Sequence, residues 1–106
     1  MRRAAKVDAN QKIVVKAFRD LGCTVQHLHA VGSGCPDLLV GLMGINLLVE
    51  VKDGDKPPSA RKLTKDQVKW HGSWLGQKCI VKSVDEVIEL VNQVKAKRPC
   101  LCFSSL

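Results

Sequence analysis

Three charged residues stand at the ends of a stretch that is otherwise apolar. Asp37 opens the segment DLLVGLMGINLLVEVK, and Glu50 and Lys52 close it. Burying an ionised side chain is costly unless something pairs with it. Two runs rich in Val, Ile and Leu flank Met43-Gly44, the pattern of two strands joined by a tight turn. With Met43-Gly44 as a two-residue turn, Leu42 lies opposite Ile45, and counting outward sets Asp37 opposite Glu50. Directly opposed residues have Cβ atoms about 4.5–5.5 Å apart. A four-residue loop would keep the same parity, so both acids share a face in either case. Lys52, two residues beyond Glu50 on a strand, shares that face too. A structural ion pair with Lys52 explains one acid but not two side by side, which repel unless a cation lies between them. Hard divalent ions such as Mg²⁺ take one or two carboxylates plus waters. The chemistry expected of this cluster is that of a catalytic metal site.

The rest of the chain has to hold that hairpin in place. Asp8 precedes Gln11 in a capping-box-like start, and Ile13, Val14, Ala17, Phe18 and Leu21 follow at helical spacing up to Gly22. Lys12, Lys16 and Arg19 fall on the opposite face. Thr24 to Ala30 alternates and predicts a first strand, with Val25, His27 and His29 on one face. These histidines are expected as polar groups on a half-exposed face rather than as ligands. In the loop from Val31 to Pro36, Gly32 and Gly34 let the backbone approach another group closely, and Pro36 fixes φ just before Asp37. The loop is not a phosphate-binding G-x-x-x-x-G-K sequence.

Residues 53–61 predict a polar loop, and Thr64-x-x-Gln67 is a capping box. A helix should follow through Val68, Trp70, His71, Trp74 and Leu75 to Gly76. Its two tryptophans, at i and i+4, are expected to pack into the core rather than stack on bases. Cys79-Ile80-Val81 is a short strand. Ser83 to Glu86 caps a last helix with the stripe Val84, Val87, Ile88, Val91 and Val94.

A chain of 106 residues fits one domain, and 45% hydrophobic residues suffice for its core. We divide it into a basic arm (residues 1–7), a domain (8–94) and a tail (95–106). The net charge of +7, from 17 Lys+Arg against 10 Asp+Glu, suits a polyanionic partner such as nucleic acid. Basic residues are densest beside the acidic cluster, where Lys56, Arg61, Lys62 and Lys65 are expected to contact phosphates. No stretch approaches the ~18 apolar residues of a membrane span, and the N-terminus lacks a signal-peptide core. An intracellular location is expected, cytoplasmic or in the nucleic-acid compartment of a host cell. Five cysteines without C-x-x-C spacing fit reduced thiols. Cys100-x-Cys102 with His27-x-His29 matches no zinc spacing well. Cys102 stands too far from the end for a prenylation signal.

The element order helix–strand–hairpin–helix–strand–helix, with Pro36-Asp37 and Glu50-x-Lys52 on the hairpin, resembles the PD-(D/E)xK nuclease superfamily. The longer pattern of Gly34-x-Pro36-Asp37, Glu50-Val51-Lys52 and Leu63-Thr64-x-x-Gln67-x-x-Trp70 resembles the virus-type replication-repair nuclease (VRR-NUC) module across residues 8–93. The resemblance implies an α/β fold with a restriction-endonuclease-like αβββαβ core, a mixed sheet flanked by helices. It implies Mg²⁺- or Mn²⁺-dependent hydrolysis of DNA phosphodiesters, with Asp37, Glu50 and the Val51 carbonyl as metal ligands. Lys52 would position the attacking water and offset charge on the transition state. Gln67 would point toward the site, a role that stands beside its role as helix cap. Phosphodiester hydrolysis needs those parts: a hydroxide nucleophile, a Lewis acid and a stabilised leaving oxygen. The non-catalytic alternative is a nucleic-acid-binding module that keeps the fold. Stand-alone modules of this kind resemble Holliday-junction resolvases, which implies a homodimer acting on branched DNA. Many members carry an acidic residue on the first helix, where this chain has Asn10-Gln11.

Overall fold

The computed structural model describes residues 9–97, apart from the side chains of residues 60 and 61. The basic arm, Asp8 and its capping role, the Arg61 side chain and the tail from residue 98, with Cys100 and Cys102, lie outside the described residues.

The first helix, α1 (Ala9–Asp20), buries Gln11, Val14, Val15 and Phe18. These positions recur at helical spacing, but the buried arc is rotated from the expected one. Ile13 is 53% exposed, while Val15 and Gln11 turn inward. The cause is that α1 packs against the last helix as well as the sheet, so two neighbours set its inward face. Gly22, at φ +91°, ends the helix. Its N–H donates to the Arg19 carbonyl and that of Cys23 to the Phe18 carbonyl, each at 3.0 Å. This is a Schellman closure, which needs the left-handed conformation that glycine adopts without strain.

Strand β1 (Thr24–His27) is shorter than the alternation to Ala30 suggested. Leu28 still donates to the Asp37 carbonyl, after which Val31 N–H turns back to the Leu28 carbonyl and the strand stops. The central hairpin is β2 (Leu38–Leu42) and β3 (Ile45–Val51), joined by Met43-Gly44. Both turn residues have positive φ, +52° and +81°, the type I′ geometry that matches strand twist. Leu42 pairs with Ile45 and Leu38 with Val49, the register counted from the sequence.

The polar stretch after β3 contains a short helix, α2 (Pro58–Arg61), where a loop was expected. Pro58 sits in its first turn, where a missing N–H is harmless and a fixed φ helps. Helix α3 (Lys65–Ser73) follows, then strand β4 (Lys78–Val81) and helix α4 (Val84–Lys97). Ser83 caps α4, its Oγ accepting from Glu86 N–H at 3.2 Å. In α4, Val87 and Val91 are buried and Ile88 is 41% exposed, so the outer edge of the expected stripe lies in solvent.

The sheet order is β1-β2-β3-β4, with the first two pairings antiparallel and β3–β4 parallel. A four-stranded mixed sheet flanked by helices is the expected α/β class. Strand alternation gives its two faces different fates. Leu38, Val40, Leu42, Leu47, Val49 and Val81 meet the buried side chains of α1 and α4 in one apolar core. Glu50 stands on the other face, where α3 reaches it.

That placement overturns one expectation. Helix α3 buries none of its residues, and Trp74 is 42% exposed. Trp70 and Trp74 stack on each other instead, with ring centroids 4.8 Å apart and planes at 14°. The core lies across the sheet, so an i, i+4 pair on α3 has no core to enter. No helix among the described residues is long and apolar enough to cross a membrane.

Candidate active site

Glu50 is the most confined charged group among the described residues, 2% exposed in the middle of three polar partners. Its Oε2 accepts from Gln67 Nε2 at 2.9 Å and lies 4.0 Å from Lys52 Nζ. Lys52 Nζ in turn donates to Gln67 Oε1 at 2.9 Å. Gln67 Oε1 also accepts the Thr64 N–H at 2.9 Å, while Thr64 Oγ1 accepts the Gln67 N–H at 3.2 Å. The two readings of Gln67 therefore coincide: one side chain closes the capping box of α3 and joins the site. The amide orientation is determined by its neighbours, because both groups facing Oε1 are donors and Glu50 accepts.

Asp37 lies one step beyond the last β2–β3 pair, half-buried. Its Oδ2 accepts the Val51 N–H at 2.9 Å. In an extended strand a residue's N–H and C=O face the same neighbour, so the backbone of Val51 is turned toward Asp37. Burial, then the neighbouring Asp37 carboxylate, push the Glu50 carboxyl up to about 8 against the opposing pull of Lys52. Each cause penalises a second negative charge in a confined place. Glu50 Oε1 is buried with no hydrogen-bond partner, so one lone-pair-bearing atom of the pair is left for a cation.

The donor set suits a particular class of ion. Asp37 and Glu50 are hard oxygen donors, and no third His, Cys, Asp or Glu completes a cluster with them among the described residues. That excludes a tetrahedral zinc site of Cys and His ligands here. It fits Mg²⁺ or Mn²⁺, which keep several waters and need few carboxylates.

Further residues hold this arrangement, and motif reading underrated them. Asn10, at the first-helix position where an acid was sought, donates through Nδ2 to the Lys52 carbonyl at 2.8 Å and the Lys82 carbonyl at 3.5 Å. It ties the first turn of α1 to the ends of β3 and β4. Gly34, at φ +82°, lies so close to α3 that a Cβ would collide with the Asp66 carbonyl. The close approach foreseen for this loop is thus made against the residue beside Gln67. Cys35 lies near the acids, its thiol raised by burial and then by the charges of Glu50 and Asp37. His71, one turn after Gln67, has a buried Nε2 without a partner. Its imidazole is pushed down by burial and then by Lys78 and Lys52. No sequence motif singled out either residue.

Lys56, Lys62 and Lys65 are exposed. They flank α2 and open α3 without bonding to the acidic pair, so the structure leaves their side chains in solvent. His27 and His29 meet each other edge-on at 5.8 Å on and just after the edge strand.

No family model matches the chain, and no curated protein matches it. A solved structure described as a VRR_NUC domain is similar to it at 33% sequence identity and a TM-score of 0.59. The likeness covers 77% of this chain and 89% of that one.

Proposed function

As this chain belongs to the VRR-NUC family of nuclease-type domains, we propose that it is a Mg²⁺- or Mn²⁺-dependent deoxyribonuclease that hydrolyses DNA phosphodiester bonds. The observation that carries the reading is the buried Glu50. One of its oxygens is held by Gln67, and the other is unpartnered beside Asp37. A divalent ion held by Asp37, Glu50 and the Val51 carbonyl would supply a Lewis acid at the phosphoryl oxygen and lower the pKa of a bound water.

The chain's own residues supply the rest. Lys52 brings a positive charge to the edge where a phosphate would lie, and it offsets the charge that grows on the phosphoryl oxygens in the transition state. Gln67 fixes the Lys52 ammonium at 2.9 Å and keeps Glu50 turned in the same step. Fixing both before substrate arrives removes reorganisation from the reaction. Exposed Lys56, Lys62 and Lys65, with Arg61, are proposed to hold the phosphate backbone on either side, a role consistent with the net charge of +7. Acting as a homodimer, two such sites would address two strands, which suits branched DNA and Holliday junctions.

The test is incubation with linear duplex and four-way-junction DNA in Mg²⁺, Mn²⁺ or EDTA. Cleavage with either ion, absent in EDTA and in Asp37→Ala, is the expected result. DNA bound with equal affinity by wild type and Asp37→Ala, and cut by neither, would replace the enzyme with the non-catalytic binding module. Sedimentation of the free protein checks the dimer.

A further inference from the structure

Beside the site, the glycine loop and α3 enclose a groove of about 380 Å³ lined by Ser33, Asp66, Lys69, Trp70 and Ser73. We propose that it receives an unpaired nucleobase of the DNA strand, a subsite that rests on the nuclease reading and favours, among branched DNAs, those with a single-stranded segment.

Four features point to a base. Trp70 offers an aromatic wall, and it is braced by the stacked indole of Trp74 and by the His71 ring edge-on at 5.2 Å. A ring fixed by two neighbours loses little freedom when a base stacks on it, and any base has a π-face to offer. Asp66, Ser33 and Ser73 also line it; carboxylate and hydroxyl groups accept from the exocyclic amines and ring N–H groups of bases, and a carboxylate repels a phosphate. Lys69 supplies one cation for the phosphate that the base carries with it. The loop side of the groove lies close against α3: a Cβ at Gly34 would collide with the Asp66 carbonyl.

Its position ties it to the chemistry. Trp70 follows Gln67 by three residues on the same helix, and residues three apart share a helix face. A nucleotide seated against Trp70 would therefore be a near neighbour of a phosphate beside Lys52. A base inside a duplex is stacked on both sides and cannot enter such a groove without being extruded.

Trp70 and Trp74 are the chain's two tryptophans, so intrinsic fluorescence reads this place alone. The experiment titrates wild-type protein in EDTA with a single-stranded oligo(dC) and, separately, with a blunt duplex of equal length. The oligonucleotide should quench the fluorescence, with the duplex at least about tenfold weaker. Trp70→Leu keeps an apolar side chain but no aromatic face, and should weaken single-strand binding, read by anisotropy of a labelled oligo(dC), about tenfold. Trp70→Phe should restore most of it. Ser73→Leu fills the groove while keeping both indoles, and should weaken binding to a similar extent with an unchanged circular dichroism spectrum. Equal binding by wild type, Trp70→Leu and Ser73→Leu, or equal quenching by blunt duplex, would overturn the subsite. Because these measurements are made without a metal ion, they stand apart from cleavage. Quenching by a protein that never cuts DNA would sink the nuclease and leave the subsite.

Discussion

Val49 and Glu50 are consecutive on β3, 0% and 2% exposed, and they stand on opposite faces of one sheet. Val49 is surrounded by the apolar side chains of the core under α1 and α4. Glu50 is surrounded by a carboxylate, an ammonium and an amide. Equal burial thus serves opposite ends. On one face, removal from water stabilises the fold; on the other it raises the energy of a negative charge until a proton or a cation offsets it. The apolar face carries stability, and the polar face holds two crowded carboxyls that the apolar face makes affordable.

The sharpest way to break this comparison is to neutralise the second face. Glu50→Gln keeps the shape and removes the charge, and cleavage should fall about a thousandfold, measured as metal-dependent turnover. Its unfolding midpoint in EDTA at pH 8 should stay level or rise, since a repelling buried anion is gone. A large drop in that midpoint would show that Glu50 is structural. Val49→Ala tests the opposite face. Stability should fall by about 2 kcal/mol through the cavity left behind, measured by denaturant unfolding, with turnover per folded molecule little changed.

Next in size is the dependence on pH. The Glu50 carboxyl ordinarily titrates at 4.5 and in the folded protein is raised to about 8. Between these values the native state holds a proton that the unfolded chain has released, so stability in EDTA should decline as pH rises through that window. Mg²⁺ or Mn²⁺ competes with the proton and should flatten the decline. Because the lowered His71 imidazole contributes the opposite slope, the check is the difference between wild type and Glu50→Gln, and a difference that rises from pH 5 to 8 would contradict the raised carboxyl. Gln67→Ala should lower turnover about tenfold to a hundredfold by releasing Lys52, as loss of an orienting partner commonly does. The smallest effect expected is that of Asn10→Ala, about 1 kcal/mol of stability from lost hydrogen bonds, read by thermal unfolding. If Asn10→Ala instead reduced turnover as far as Gln67→Ala, the first helix would belong to the catalytic machinery.

Much of this was legible from local spacing. The Met43-Gly44 turn sets the parity of β2 and β3, and side-chain period on a strand does the rest for Asp37, Glu50 and Lys52. The Thr64-x-x-Gln67 box is equally local, because its two hydrogen bonds span three residues. Elements whose surroundings lie far along the chain were harder. The tryptophans of α3 looked like core residues because nothing within a helix tells which side of a sheet it will occupy. Ile13 and Ile88 looked buried for the same reason, since periodicity defines a stripe but not which neighbours cover its edges. Asn10 showed only as a missing acid, because its bonds reach backbone 42 and 72 residues away.

By itself, then, the sequence determined the hairpin, its register, the capping box and the convergence of two acids with a lysine. These depend on backbone geometry over a few residues, where sterics and hydrogen bonding leave few choices. The tertiary structure alone decided that Gln67 bridges Glu50 and Lys52, and that Asn10 and Gly34 brace the site from two sides. It also decided that Trp70 and Trp74 stack at a groove. These contacts join segments distant in sequence, and they exist only once the apolar face of the sheet has chosen its helices and left the other face to α3.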